Sequence, residues 1–125
     1  MNRELLAASV QAYIQEKAHA QPAAIALQKS PFAAVGASEL AQQVDGRQRA
    51  AKKIPAWAAA PGIYYPAKLN LEQCSSAETG AFKASLIPQC SRLIDLTGCF
   101  GVDSFYFAQR AQHVEHCEIN AELSD

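Results

Sequence analysis

The run LIDLTGCFGVDSFYFAQRAQHVEHCE, from Leu93 to Glu118, leaves a chain few ways to fold. A short apolar stretch ends in Asp95, and a bend follows at Gly98 and Gly101. An amphipathic segment then carries Phe105, Phe107 and Ala108, and a second short run ends in Glu118. This periodicity predicts strand, tight turn, helix, strand. The unit is the opening βαβ of a doubly wound (Rossmann-like) α/β domain. Its first turn lies at the carboxyl end of the first strand, where such folds take nucleotide-like ligands.

The residue types at the bend have their own chemistry. Glycine permits positive φ and lets a ligand approach without meeting a β-carbon. Gly101 precedes the helix start, so amides not used by the helix can face a polar ligand there. Glu118 lies 23 positions beyond Asp95, the distance at which dinucleotide folds place a carboxylate for the two ribose hydroxyls. Each such charge-assisted hydrogen bond is worth about 1.5–3 kcal/mol. The glycines do not form GxGxxG, which disfavours a nicotinamide cofactor and a nucleotide-dependent oxidoreductase.

DLTGCFGVD resembles motif I of class I S-adenosylmethionine-dependent methyltransferases. It is similar in particular to the DLTGGFGVD variant of a bacterial group that carries a THUMP-like domain. Upstream, Glu72-Gln73-Cys74-Ser75-Ser76 with Thr79 and Lys83 resembles that group's EQCSSE-T--YK segment. The likeness runs from about Ala41 onward and joins two separated motifs. It implies S-adenosylmethionine as cofactor and RNA as substrate. Asp95 would order the turn and the methionine end; Thr97, Gly98, Cys99 and Gly101 would line the cofactor; Glu118 would hold its ribose. The amino end of the helix after Ser75 and Ser76 would meet the cofactor's carboxylate. Cys99 stands where the group usually has glycine. If φ is positive there, the β-carbon costs about 1–2 kcal/mol.

The 125 residues extend only just past the second strand. Two strands do not make an independently stable sheet, and a parallel sheet needs both faces covered. The expectation is a truncated fold: a helical domain over residues 1–70, ending in a Pro/aromatic linker, then the start of the S-adenosylmethionine-binding domain over residues 71–125. The other half of the catalytic domain, with the unknown catalytic residues, would lie in the same or a partner chain.

Residues 2 to about 18 read as one helix, capped by Asn2, with Leu5, Leu6, Val10, Tyr13 and Ile14 on its apolar stripe. A short helix follows Gln21-Pro22, with proline in its first turn, and SPFAAVG is a loop. Ser38 is the expected cap of a third helix running to about Lys53, buried through Leu40, Val44, Ala51 and Ile54. Its Arg47, Arg49, Lys52 and Lys53 form the chain's basic cluster. Contact with RNA phosphates and a solvated helix face paired with Asp45 or Glu39 are both open readings. Pro55 ends that helix, and PAWAAAPGIYYPAKLN is expected to be irregular. Its Trp57, Tyr64 and Tyr65 would stack a base or adenine, or seal the helical part onto the α/β part. Ser75 and Glu78 fit a capping box for a helix to about Leu86.

Net charge is −1, so no global field steers the chain to nucleic acid or membrane. No apolar run approaches a membrane span or a secretory leader, and the expected location is cytoplasmic. Cys74, Cys90, Cys99 and Cys117 are spaced by 16, 9 and 18 residues. They form no CxxC pair, and His19, His113 and His116 complete no zinc pattern, so no metal is expected. Reduced, mostly buried thiols are. An alternative of another class is a non-enzymatic helical adaptor, in which residues 1 to about 90 bind RNA or a protein.

Overall fold

Pro22, Gly36 and Pro55 each stand at the start of a helix in the first part of the chain. The computed structural model describes residues 2–66 and 68–124. The chain divides into two units, Met1–Leu71 and Glu72–Asp125.

The expected single N-terminal helix is broken. Arg3–Leu6 forms a 3-10 turn, Ala7 is extended, and α1 then runs Ala8–Glu16. Asn2 caps the 3-10 turn by accepting the Glu4 amide at 3.1 Å. α2 spans Pro22–Ala26 with Pro22 at its start, where a missing N–H is harmless. α3 spans Ala37–Lys53, and its cap is Gly36, not Ser38. The Glu39 carboxylate reaches back to the Gly36 amide at 2.7 Å and also accepts the Asn2 side-chain amide at 3.0 Å. That return bond fixes the helix start two residues ahead of where a Ser38 cap would put it.

Leu40, Val44 and Ile54 are buried on the α3 face as expected, but Ala50 is buried in place of Ala51. Leu40 and Val44 pack in a core with Leu5, Val10, Ile14, Ile25 and Val35. Fully burying one such aliphatic side chain is worth about 1.5–3 kcal/mol. The segment after Pro55 is not irregular: α4 spans Pro55–Ala59 and α5 spans Lys68–Gln73, while residue 67 lies outside the described residues. Pro55 ends α3 and then serves as the first residue of α4. Tyr65 is the largest fully buried side chain. Gln43, itself buried, holds its backbone from both sides, donating to the Tyr65 carbonyl and accepting its amide, each at 2.8 Å. A β-carbon on Gly46 would sit 2.3 Å from Tyr65 Cβ, so only glycine lets α3 pass this close.

In the second unit α6 spans Ala77–Ser85, β1 Cys90–Asp95, α7 Val102–Phe107, β2 Ala111–His116 and α8 Ala121–Ser124. The strands pair in parallel, with Leu93 opposite Val114 and Asp95 opposite His116. The expected βαβ order is therefore present, as an α/β arrangement with a two-stranded parallel sheet. β2 ends at His116, so Glu118 lies in the loop beyond it and not on the strand. The α6 cap is Ser76, accepting the Thr79 amide at 3.2 Å, and not a Ser75–Glu78 box. α6 meets α7 at Gly80, where a β-carbon would lie 2.5 Å from the Tyr106 ring. The four cysteines are free thiols, but burial is uneven: Cys74 is buried, Cys90 and Cys99 are intermediate and Cys117 is exposed. No helix of the described residues is long and apolar enough to cross a membrane.

Candidate functional site

The bend after β1 is held between two carboxylates at the carboxyl end of the sheet. Asp95, buried at the last position of β1, accepts the Thr97 amide through Oδ1 at 3.2 Å and the Ser104 hydroxyl through Oδ2 at 2.6 Å. It thus ties the bend to the first turn of α7. The ladder runs past the strand ends, with Cys117 N donating to Asp95 O and Gly98 N to Cys117 O, both at 2.8 Å. Glu118 closes the other side: Oε2 accepts the Cys99 amide and Oε1 the Asn120 amide, each at 2.8 Å. A carboxylate offers about four acceptor positions, so Glu118 retains capacity for further donors.

The backbone of the bend explains its composition. Gly101 takes φ of 84° as the cap of α7, and Gly101 N donates to Gly98 O at 2.7 Å. Cys99 takes φ of 49°, the left-handed region, despite its β-carbon. Gly98 is needed for a different reason: a β-carbon there would lie 2.0 Å from the His116 imidazole. The close approach that Gly98 permits is made by the protein's own ring.

His116 Nδ1 lies 3.0 Å from Ser104 Oγ. Ser104 donates its hydroxyl proton to the Asp95 carboxylate, which leaves its oxygen as the acceptor facing the His116 ring nitrogen. Asp95, Ser104 and His116 thereby form one chain of hydrogen bonds across the bend. Spacing gave no sign of this chain, because Ser104 stands in the helix and His116 looks like an exposed strand residue.

A second cluster joins α6 to α7. Lys83 Nζ lies 2.7 Å from Asp103 Oδ2 and 2.9 Å from Ser75 Oγ, and Ser75 donates to the same Asp103 oxygen at 3.0 Å. Asp103 Oδ1 is buried with no partner among the described residues. The two separated motifs singled out in the sequence, one with Ser75 and Lys83 and one with Asp103, therefore meet at this point. Ser76 faces its own helix, bonded to the Thr79 hydroxyl and amide. Among the described residues no three His, Cys, Asp or Glu side chains converge on a metal position.

Of the residues expected at the site, Asp95, Thr97, Gly98, Cys99, Gly101 and Glu118 lie around one bend; Ser75 belongs to the Lys83–Asp103 cluster. The basic cluster of α3 is in the other unit and is not one surface. Arg49 pairs with Asp45 at 2.7 Å and Lys53 donates to the Leu71 carbonyl at 3.0 Å. Arg47 and Lys52 have no hydrogen-bond or ion-pair partner among the described residues, and both line a groove of about 520 Å³ with Ala18, His19 and Gln48.

The structure is similar to the crystal structure of a "putative methyltransferase" from Porphyromonas gingivalis W83, with a TM-score of 0.82 and 28% sequence identity over 98% of this chain. The fold is methyltransferase-like. The chain spans 30% of the length of that protein. No family model and no curated protein match the sequence. The similarity extends through both units, including the helical one, so the order of helical part and βαβ part is shared with that protein.

Proposed function

We propose that this chain is the N-terminal part of a class I S-adenosylmethionine-dependent methyltransferase acting on RNA. In this reading the helical unit precedes the Rossmann-like, cofactor-binding start of the catalytic domain, and the chain is related to the bacterial group with a THUMP-like domain. The observation that carries the reading is the position of Asp95 and Glu118 at the carboxyl ends of the two parallel strands, with the Cys99 amide held by Glu118. The likeness to the Porphyromonas gingivalis protein supports it.

The residues present suit such a cofactor. Glu118 keeps acceptor positions for the two ribose hydroxyls after taking two backbone amides. Asp95 spends its oxygens on Thr97 and Ser104 and so orders the bend that Thr97, Gly98, Cys99 and Gly101 would present to the ligand. Ser75 and the free oxygen of Asp103 are the polar groups on the α6 side. The cofactor supplies a methyl group on a sulfonium, and the protein's part in methyl transfer is to bind and align the two reactants. Ile94 on β1 and Leu96 just beyond it are exposed, as positions that further elements of a catalytic domain would cover. Those elements, in the same or a partner chain, would supply the groups that handle the nucleophile.

Calorimetric titration with S-adenosylmethionine, and with NADH as the competing ligand class, tests the reading. Binding of the first and not the second is expected, with Glu118→Gln weakening it about tenfold. Preference for NADH would overturn it. The non-enzymatic adaptor remains the second reading because Arg47 and Lys52 stand unpaired in the helical unit; it would be favoured by RNA binding with no response to either cofactor.

A further inference from the structure

We infer that the groove between α3 and the α1–α2 turn is a phosphate-binding site for single-stranded RNA, built on Arg47 and Lys52 with His19 at its rim. The inference rests on the RNA half of the reading above and deepens it, because it selects two of the four basic residues and leaves out the other two.

Four observations carry it. Arg47 and Lys52 line the groove and, with exposed His19, make its charged and titratable lining; no carboxylate is among the lining residues. Arg47 and Lys52 have no hydrogen-bond or ion-pair partner among the described residues, whereas Arg49 and Lys53 on the same helix are engaged by Asp45 and the Leu71 carbonyl. The wall is held in place by Gln48, which donates to the Ala18 carbonyl at 3.0 Å and the Ala20 carbonyl at 2.7 Å, fixing the turn that carries His19 against α3. Apart from Gln21, the remaining lining is small and apolar, including Pro22 and Ala51, around a groove of about 520 Å³.

Unpaired cations facing an acid-free groove favour an anion that releases counterions on binding. Five helical positions separate the Arg47 and Lys52 backbones by about 7.5 Å along the axis. That offset suits successive phosphates of a chain better than one free phosphate. The exposed His19 ring beside Pro22 offers a flat face on which an unstacked base can lie. Contacts of this kind position a strand without reading its sequence.

The test is fluorescence anisotropy of the full chain with a fluorescein-labelled single-stranded RNA decamer, over a range of salt concentrations. The Arg47→Ala/Lys52→Ala variant is expected to bind at least tenfold more weakly, and its salt dependence should be shallower by about 1.4 in log–log slope, the share of two single-strand phosphates. Arg49→Ala/Lys53→Ala should stay within twofold of the parent, and Arg47→Lys/Lys52→Arg should restore most of the affinity. Thermal midpoints of all variants establish that each is folded. Inorganic phosphate is expected to compete only weakly; competition equal to that of the RNA would overturn the polynucleotide assignment in favour of a free anion. Equal losses in both alanine variants would overturn the groove while leaving RNA binding intact. A chain that binds S-adenosylmethionine but no RNA would overturn the groove and leave the cofactor half of the reading standing.

Discussion

The Glu118 carboxylate accepts the backbone amide of Cys99 at the carboxyl end of the sheet, Oε2 to N at 2.8 Å. The pair fixes the bend after β1 from the loop after β2. Glu118 therefore has a structural task before any ligand arrives. Glu118→Ala should leave the Cys99 and Asn120 amides without their acceptor and destabilise the second unit by about 1 kcal/mol. Glu118→Gln, which keeps one carbonyl oxygen, should lose less. Amide hydrogen exchange at Cys99 reads the difference directly, with faster exchange expected in the order parent, Gln, Ala.

Cys99 holds φ of 49° with a β-carbon. Relief of the left-handed strain, about 1–2 kcal/mol, outweighs the greater chain entropy of glycine, about 0.4–1 kcal/mol. Cys99→Gly should raise unfolding stability by about 0.5–1 kcal/mol, read as a higher urea midpoint with an unchanged slope. Cys99→Val should lower it, because a branched β-carbon is worse still in that region.

Lys83 and Asp103 are only partly shielded, with 45% and 21% of their side chains exposed. A double-mutant cycle on Lys83→Met and Asp103→Asn should return a coupling of about 0.2–1 kcal/mol, shrinking as salt is raised. A coupling that salt leaves unchanged would show that Ser75, not charge, holds the cluster.

Burial pushes the Tyr65 phenol above its ordinary value of 10.0, and the nearby Arg47 charge pulls the other way without cancelling it. The unfolded chain therefore loses this proton first as pH rises and binds fewer protons than the native state. Stability is unaffected below pH 10 and falls above it, until the folded-state phenol also ionises. Tyr65→Phe should remove that alkaline slope, at a loss near neutrality of about 0.5–1.5 kcal/mol for the bond to the Trp57 carbonyl. Urea midpoints between neutral and alkaline pH compare the two proteins.

The βαβ order was legible because strand and helix periods alternate sharply around two glycines. Both glycines matter, yet for different reasons, and only Gly101 uses positive φ. The reason for Gly98 lies 18 residues away in His116, beyond any local pattern. Helix caps were misplaced by one or two residues for a similar cause. Gly36 is capped by the Glu39 side chain, and Ser75 is drawn away from its own helix by Asp103 and Lys83. The stretch after Pro55 looked irregular because proline density suggests a linker, whereas Pro55 at a first helical position starts α4. The basic cluster divides into paired and unpaired halves because Asp45 holds Arg49 and the Leu71 carbonyl holds Lys53, and the second partner is 18 residues away in sequence.

An amide chemical-shift titration of this chain with S-adenosylhomocysteine, which reports even weak binding residue by residue, tests cofactor binding at the bend most directly. Saturable shifts are expected at Thr97, Gly98, Cys99, Gly101 and the loop around Glu118, with the amides of α1 to α4 unmoved. Shifts confined to the helical unit, or none at ligand concentrations where a millimolar site would fill, would contradict binding there.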